Sequence, residues 1–462
     1  MKLSELSTIL NATLHGNDAE FSNVTIDSRS IKSGDCFFAI KGEFFDGHDF
    51  IADIAKKNAA VAIIDRDIST IIPTIHVKNT RAALMDLARY YRDSVHIPVV
   101  AITGSCGKTT TRALLENILK QAGSVLASQK SFNNDIGLPL TLLQLKPDHD
   151  FAVLEVGTNH PGEIVALTEI AKPTVAVITM VAAVHVEGFG SVDNIAKEKG
   201  DIYATLETTG IAVINADDSF AAYWKKLNGN HRVVTFGQNN TADVMATDIE
   251  IMPNGCTQFN LTINNGGQKH LSNSTEARAV ACAQTEMIHL PLLGQHNITN
   301  ALAAAAVAFS LEIPIDLIKV GLETVTSEYG RLNIKKGLKG ATIIDDSYNA
   351  NPASVKAAID LLTRRSDHAI LVLGDMKELG EHAQEMHTTI GLYARDAGVK
   401  QLLCYGVQTA LTANAFGKNA LHFDSQEKLI EALKLSLSNQ VTVLVKGSNS
   451  MKMKNVVNAI VE

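Results

Sequence analysis

Cysteine is too scarce and too scattered in this chain of 462 residues to build a framework. The five, Cys36, Cys106, Cys256, Cys282 and Cys404, include no C-x-x-C pair, which argues against a disulfide scaffold and against a zinc site. No Lys/Arg-rich block interrupts a formal net charge of -8, so the basic footprint that nucleic acid requires is missing. No uninterrupted apolar run approaches the ~18 residues of a membrane span, and the opening MKLSELSTILNATLHG, with Glu5 among its apolar residues, lacks a signal-peptide core. Internal repeats, low-complexity tracts and long flexible linkers are absent too. What remains is a cytoplasmic globular chain, 46% hydrophobic and 19% charged, with enough core for about three domains.

One stretch organises it. In PVVAITGSCGKTTTRALLENIL a short apolar run, Val99 to Ile102, leads into Gly-Ser-Cys-Gly-Lys-Thr and then a helical pattern with Leu114, Leu115, Ile118 and Leu119 on one face. Strand, glycine loop and helix in that order make a phosphate cradle. Gly104 and Gly107 allow a tight turn that aims backbone N–H groups, with those of Ser105, Cys106 and Thr110, into one concavity. Lys108 adds a point charge, Thr109 a hydroxyl for a metal, and the helix the positive end of its dipole. The site suits a polyphosphate with Mg2+. Its G-x-x-G-K-T spacing is two residues shorter than the general pattern.

Residues 1–80 read as a small α/β unit, with a helix near Leu3 to Leu10 and a buried strand AAVAIID. Its polar residues Asp27, Ser28, Arg29, Lys41, Gly42, Asp46, Gly47 and His48 also fit ordinary turn chemistry. Residues 81–311 form a larger doubly wound unit, in which FAVLEV, TVAVITMV and GIAVINA look like parallel strands buried on both faces. RVVTFG, ADVMATDIEI and TQFNLTI alternate more and suggest an antiparallel extension. Residues 312–462 alternate strands (ATIIDDS, AILVLGD, QLLCYG, VTVLVKGS) with helices, implying a parallel, Rossmann-like sheet. The expected fold class is thus α/β in three domains, the central one P-loop ATPase-like.

Ligands of open α/β sheets gather at strand carboxyl ends, which directs attention to Glu155 and His185. A carboxylate and an imidazole at the mouth of the loop suit Mg2+ or Mn2+; a histidine after a strand also serves as a structural hydrogen-bonder. Lys199, with Lys197 beside it on a helical pattern, reads from composition as a solvated lysine on a charged helix face. Asn297 and Asn300 flank the start of an alanine-rich helix and either cap it or meet a nucleotide base. Asp345, Asp346, Ser347, Tyr348, Asn349 and Asn351 crowd one strand end, more polar groups than a turn requires, and Arg331 follows a glycine near the second junction, where it could reach a γ-phosphate. Cys106, at a helix N-terminus, is expected either to react readily with oxidants or to be an inert spacer.

Taken together, DSRSIKSGDCFFAIKGEFFDGHDF, TGSCGKTT, SFNNDIGLPLTLL, LEVGTNHPGEI, HVEGFGS, AKEKGDIY, LLGQHNITNALAA, DDSYNANP, LGDMKELG and VLVKGS resemble the Mur ligase family over essentially the whole chain. DDSYNANP, LGDMKELG and the HVEGFGS context are similar to the branch that adds D-alanyl-D-alanine to UDP-N-acetylmuramoyl-tripeptide in peptidoglycan precursor synthesis. The resemblance implies an ATP-dependent amide ligase acting through an acyl phosphate, monomeric, with two Mg2+ ions. It implies that Ser28, Arg29, Lys41, Gly42, Asp46, Gly47 and His48 bind the UDP end, that Asn133, Asn134, Tyr348 and Asn349 face substrate, and that Gly104 to Thr110 hold ATP phosphates. Glu155, His185 and Thr109 would be metal ligands, and Lys199 a lysine carbamylated into a further one. His296 and Asn297 would lie near adenine, Asp346 at the ribose and Arg331 at the γ-phosphate. Met180 stands where many relatives have asparagine, and Asn449 replaces a frequent arginine, with Lys446 and Lys452 nearby. The competing expectations are a ligase of the same group with another acceptor, and a P-loop regulatory module that hydrolyses ATP slowly.

Overall fold

The computed structural model describes all residues except 130–131, 183–185, 253–254 and 265–282. The candidate ligand His185, and Cys282, therefore lie outside the described residues. Among the described residues the strands assemble into three sheets, giving the three-part α/β architecture.

The first sheet runs Thr13–His15, Thr74–His76, Val61–Ile64, Cys36–Phe38, Val24–Thr25. Its neighbours pair in parallel except at Thr13–His15, which is antiparallel to Thr74–His76. The turns after Thr25, Phe38 and Ile64 thus share one edge, and that edge carries the polar residues of the first unit.

The central sheet has nine strands among the described residues. From Gln284–Leu290 it proceeds through Thr257–Ile263, Val244–Ile251, Arg232–Gly237, Ile211–Asn215 and Val175–Ile178 to Val99–Thr103, then Phe151–Glu155 and Val125–Ala127. Val99–Thr103 lies between Val175–Ile178 and Phe151–Glu155, all parallel; chain order reverses there, which opens a crevice beyond its carboxyl end. The glycine loop fills that position. Its helix, Lys108–Leu119, buries Leu114, Leu115, Ile118 and Leu119 completely, in one core with the helix His296–Ser310. Ala301 and the run Ala303 to Ala306 are also wholly buried, so small side chains let this second helix sit inside the layer rather than on its surface. Each fully buried leucine stabilises the arrangement by ~1.5–3 kcal/mol.

One expectation is corrected here. RVVTFG belongs to the parallel part: Arg232–Gly237 pairs in parallel with both of its neighbours. The antiparallel extension starts one strand later, at Val244–Ile251 against Thr257–Ile263 and then Gln284–Leu290. Apparent alternation arose from Thr235, which is buried in spite of its hydroxyl because that group donates to Asp243 Oδ2 at 2.7 Å.

The third sheet runs Asn333–Lys336, Thr342–Asp346, Thr442–Lys446, Ala369–Gly374, Gln401–Tyr405, Ala420–Phe423. It is parallel apart from its first strand, which is antiparallel to Thr342–Asp346. Both edge strands were invisible to hydrophobic patterning, being four residues each and half exposed. No helix among the described residues is long and apolar enough to cross a membrane.

Candidate active site

The carboxyl ends of the central and third sheets face each other across a cleft of about 940 Å³. The glycine loop forms one wall. Gly104 has φ +146°, and a Cβ there would stand 1.9 Å from Thr179 Oγ1; Gly107 has φ +88°, and its Cβ would meet Asn300 Oδ1 at 2.2 Å. Both positions therefore require glycine on conformation and on space. Thr179 Oγ1 donates to the Cys106 carbonyl at 2.5 Å, and Ser105 N donates to the Met180 carbonyl at 2.8 Å, which pins the loop to the adjacent strand. Gly107 caps the helix without a side-chain hydrogen bond, leaving the first-turn N–H groups aimed at the cleft.

Lys108, half-buried, donates to the Gly104 carbonyl at 2.7 Å, and desolvation lowers its pKa. Glu155, 1% exposed, sits behind it; burial raises its pKa against the opposing charges of Lys108, Arg112 and Arg331. One of its oxygens accepts from Thr109 Oγ1 at 3.3 Å and the other from Arg112 Nε at 3.3 Å. Thr109 and Glu155 thus offer hard oxygen donors of the type Mg2+ prefers, beside an open cleft that leaves its other positions to water and phosphate.

Arg331, Asp346, Tyr348, Asn349 and Asn351 line the opposite wall. The Arg331 guanidinium lies 4.3 Å over the Tyr348 ring, and its buried Nε has no hydrogen-bond partner among the described residues. An orphaned donor in such a place fits an anion. Asp346 Oδ2 accepts from Lys446 Nζ at 2.5 Å, and Lys446 also donates to the Asn349 carbonyl at 3.0 Å. Lys446 is therefore occupied within the third sheet, and Lys452 lies outside the cleft lining. Met180 and Asn449 both line the cleft.

His296 and Asn297 line the cleft as well, with the His296 pKa lowered by burial, so the ring is neutral. Asn297 and Asn300 do not cap their helix. Asn297 Nδ2 donates back to the Leu293 carbonyl at 2.8 Å and Asn300 Nδ2 donates to Asn297 Oδ1 at 2.8 Å, an internal ladder that fixes both amides. Asn133 and Asn134 border the same cleft, and Asn134 Oδ1 accepts from Gly137 N at 2.9 Å.

Lys199 is buried, 3% exposed, and is not a lining residue. Desolvation and the nearby charge of Lys108 bring its pKa down to about 7. The solvated-lysine reading is thereby excluded. Adjacent Glu198 makes no ion pair with it among the described residues; that carboxylate instead accepts from Gly162 N at 2.8 Å and Ile164 N at 3.0 Å, and its charge only partly offsets the lowering.

The polar residues of the first unit are not brought into this cleft. They occupy a separate ledge at the shared edge of their sheet. Asp27 is held down to about 2 by the Arg29 side chain. His48, 4% exposed, is bracketed by Asp46 at 2.6 Å and Asp65 at 3.1 Å. Burial pushes the Asp46 carboxyl up, but hydrogen bonds from His48 and Arg66 prevail and keep it near about 2. His48 thus shapes the ledge from beneath, whereas Arg29 and the Lys41-Gly42 turn stand exposed on it.

Three features in or beside the cleft escaped sequence reasoning. Arg112 lies one turn beyond Thr109 and could have been found from helical spacing; Thr179 and the Cys106–Asn351 contact are tertiary and carry no local signal. Asn351 Nδ2 donates to Cys106 Sγ at 3.1 Å while Asn351 Oδ1 caps the helix Pro352–Arg365 through Ser354 N at 2.9 Å. Asn351→Ala should cost ~1 kcal/mol in urea unfolding through loss of the cap. It should also speed iodoacetamide labelling of Cys106, with ADP slowing the reaction in both proteins. Labelling equally fast with and without ADP would show that this thiol does not lie in the nucleotide site.

Comparison with known proteins agrees with this geometry. Family models match in three parts, described as Mur ligase family, catalytic domain (residues 20–92), Mur ligase middle domain (102–308) and Mur ligase, glutamate ligase domain (330–449). The UDP-N-acetylmuramoyl-tripeptide--D-alanyl-D-alanine ligase of Escherichia coli K12 is 40% identical over 464 residues, covering 100% of this chain and 98% of that protein. A crystal structure of MurF from Acinetobacter baumannii superposes with a TM-score of 0.87 at 31% identity, over 98% of this chain and 97% of that one. MurF from Thermotoga maritima in complex with ADP gives 0.77 at 27% identity, over 95% and 96%. Full-length coverage together with a glycine loop facing Arg331 across the cleft establishes that the chain belongs to the Mur ligase family.

Proposed function

We propose that this chain is an ATP-dependent amide ligase that adds D-alanyl-D-alanine to UDP-N-acetylmuramoyl-tripeptide, in the cytoplasmic assembly of peptidoglycan precursors. The observation that carries the reading is the two-walled cleft, with the loop Lys108, Thr109 and buried Glu155 on one side and Arg331, with its orphaned Nε, on the other. Full-length relatives bearing that activity in their names support the choice of substrates.

A carboxylate does not condense with an amine in water, so it must be activated. The tripeptide's terminal carboxylate oxygen attacks the γ-phosphorus of ATP, forming an acyl phosphate and releasing ADP. The amine of the dipeptide then attacks the acyl carbon; the tetrahedral intermediate expels phosphate and the nitrogen loses its proton. Catalysis is mainly positioning and charge neutralisation. Lys108 and the first-turn N–H groups hold the phosphates, and Arg331 neutralises the γ-phosphoryl oxygens from across the cleft. Thr109 and Glu155 would hold Mg2+, which supplies further neutralisation of phosphate charge. Asp346, whose Oδ1 accepts no hydrogen bond among the described residues, is free to take a ribose hydroxyl, and neutral His296 stands beside the adenine. The ledge of Ser28, Arg29, Lys41, Gly42, Asp46 and Gly47 holds the UDP end, with His48 as its brace. Action as a monomer is part of the proposal.

The test is phosphate release from ATP and UDP-N-acetylmuramoyl-tripeptide across a panel of amine acceptors. D-alanyl-D-alanine should exceed glutamate and meso-diaminopimelate in kcat/KM by ~100-fold or more. A preference for either of those would reassign the acceptor, and release indifferent to any acceptor would leave only an ATPase.

A further inference from the structure

Arg112 has no assigned role, yet it is the most heavily engaged cation near the cleft. It projects from the helix Lys108–Leu119, with its side chain 5% exposed, and each of its three nitrogens meets a different carboxylate. Nε donates to Glu155 Oε1 at 3.3 Å, Nη1 to Glu116 Oε2 at 2.5 Å, and Nη2 to Glu328 Oε1. Thr109, Arg112 and Glu116 follow one another along one helix face at spacings of three and four. Thr109 and Arg112 each hold one oxygen of Glu155, so its carboxylate is fixed from both sides.

Glu328 lies in the linker 324–332, between the helix Ile315–Glu323 and the strand Asn333–Lys336. Its carbonyl accepts from Arg331 N at 3.1 Å, and the carbonyl of Gly330 accepts from Tyr348 N at 3.2 Å. A continuous chain of contacts therefore runs from Glu155 through Arg112 and Glu328 to Arg331, which faces the loop from the opposite wall. Only a guanidinium can serve three carboxylates in this planar fan; an ammonium keeps the charge and loses the geometry.

We propose that Arg112 is a positioning residue that sets the Glu155 carboxylate and the Arg331-bearing linker in register, so that one guanidinium holds the two walls of the cleft to a common frame. The inference rests on the ligase reading for its catalytic consequence and on geometry alone for its mechanical one. Two full-length variants separate its halves. Glu328→Gln cuts the linker arm at an accessible carboxylate, whereas Arg112→Lys loosens both arms.

In ligand-free protein, hydrogen exchange of the peptide covering 324–332 should quicken ~3-fold or more in both variants, with the strand Ala369–Gly374 unchanged as an internal reference. In calorimetry with ADP, the Mg2+ concentration for half-maximal enhancement of binding should rise ~10-fold in Arg112→Lys and stay within ~2-fold of wild type in Glu328→Gln. Linker exchange unchanged in both variants, or an unchanged Mg2+ requirement in Arg112→Lys, overturns the proposal. Acceptor-independent phosphate release by the wild-type chain would instead count against the ligase reading, and it leaves the exchange result standing.

Discussion

Lys108→Ala should lower acceptor-dependent phosphate release by ~10³-fold or more, with little effect on the fold. The Lys108 ammonium makes one hydrogen bond among the described residues, to the Gly104 carbonyl inside its own loop. Its removal leaves Glu155 compensated by Arg112 and Thr109, so the midpoint of urea unfolding should correspond to a change within ~1 kcal/mol. The catalytic loss is large for the reason that the structural loss is small. Desolvation already lowers the lysine pKa, so its charge lacks a full hydration shell and interacts strongly with whatever anion enters. In the proposed reaction that anion is the polyphosphate of ATP. Lys108→Arg should rescue poorly, because the turn fixed by Gly104 and Gly107 accommodates a compact charge rather than a planar fork. Retention of amide formation within tenfold in Lys108→Ala would show that the loop is not the seat of the reaction.

The residues that chemistry makes local were legible in the sequence. Glycines at 104 and 107, a lysine and threonine behind them, and an apolar strand before them predicted the strand, tight turn and helix that the structure shows, because each is dictated by backbone geometry within ten residues. The parallel strands buried on both faces were equally plain. What failed did so where tertiary hydrogen bonding alters burial, as at Thr235, whose buried hydroxyl made a parallel strand look half exposed. Short edge strands such as Ala420–Phe423 gave no periodic signal at all. The Asn297–Asn300 ladder could not be told from a helix cap, since the deciding partner, the Leu293 carbonyl, is set by the turn before the helix. Arg112 illustrates the limit best: its position on the loop helix was readable, but Glu328 is 216 residues away, and nothing local announces that pair. Lys199 looked like one more surface lysine because its burial depends on packing against other segments rather than on its own helix.

That lysine carries the second large effect. At an ordinary value near 10.5, only ~0.1% of its amines are uncharged at pH 7.5; at about 7, roughly three quarters are. An uncharged amine in a buried site can attack dissolved CO2, forming an N–C bond and releasing one proton, and the product is an anion that would face the nearby charge of Lys108. The carbamylation that the family resemblance implies predicts that stripping CO2 from the buffers depresses ligase activity and that bicarbonate restores it. Lys199→Ala should lose ~10³-fold and ignore bicarbonate. A wild-type rate indifferent to CO2 would rule the carbamate out. Stability supplies an independent check on the amine itself. The folded-state pKa lies below the unfolded value, so between about 7 and 10.5 the unfolded chain binds a proton that the folded chain does not, and stability rises with pH across that window. Below it, the cost of the buried charge is present in full. Lys199→Met removes that cost; in CO2-free urea titrations the variant's advantage over wild type should be constant below pH ~7 and shrink steadily toward pH ~10. An advantage independent of pH would mean that burial does not suppress the charge of Lys199, and the chemical case for its modification would fall with it.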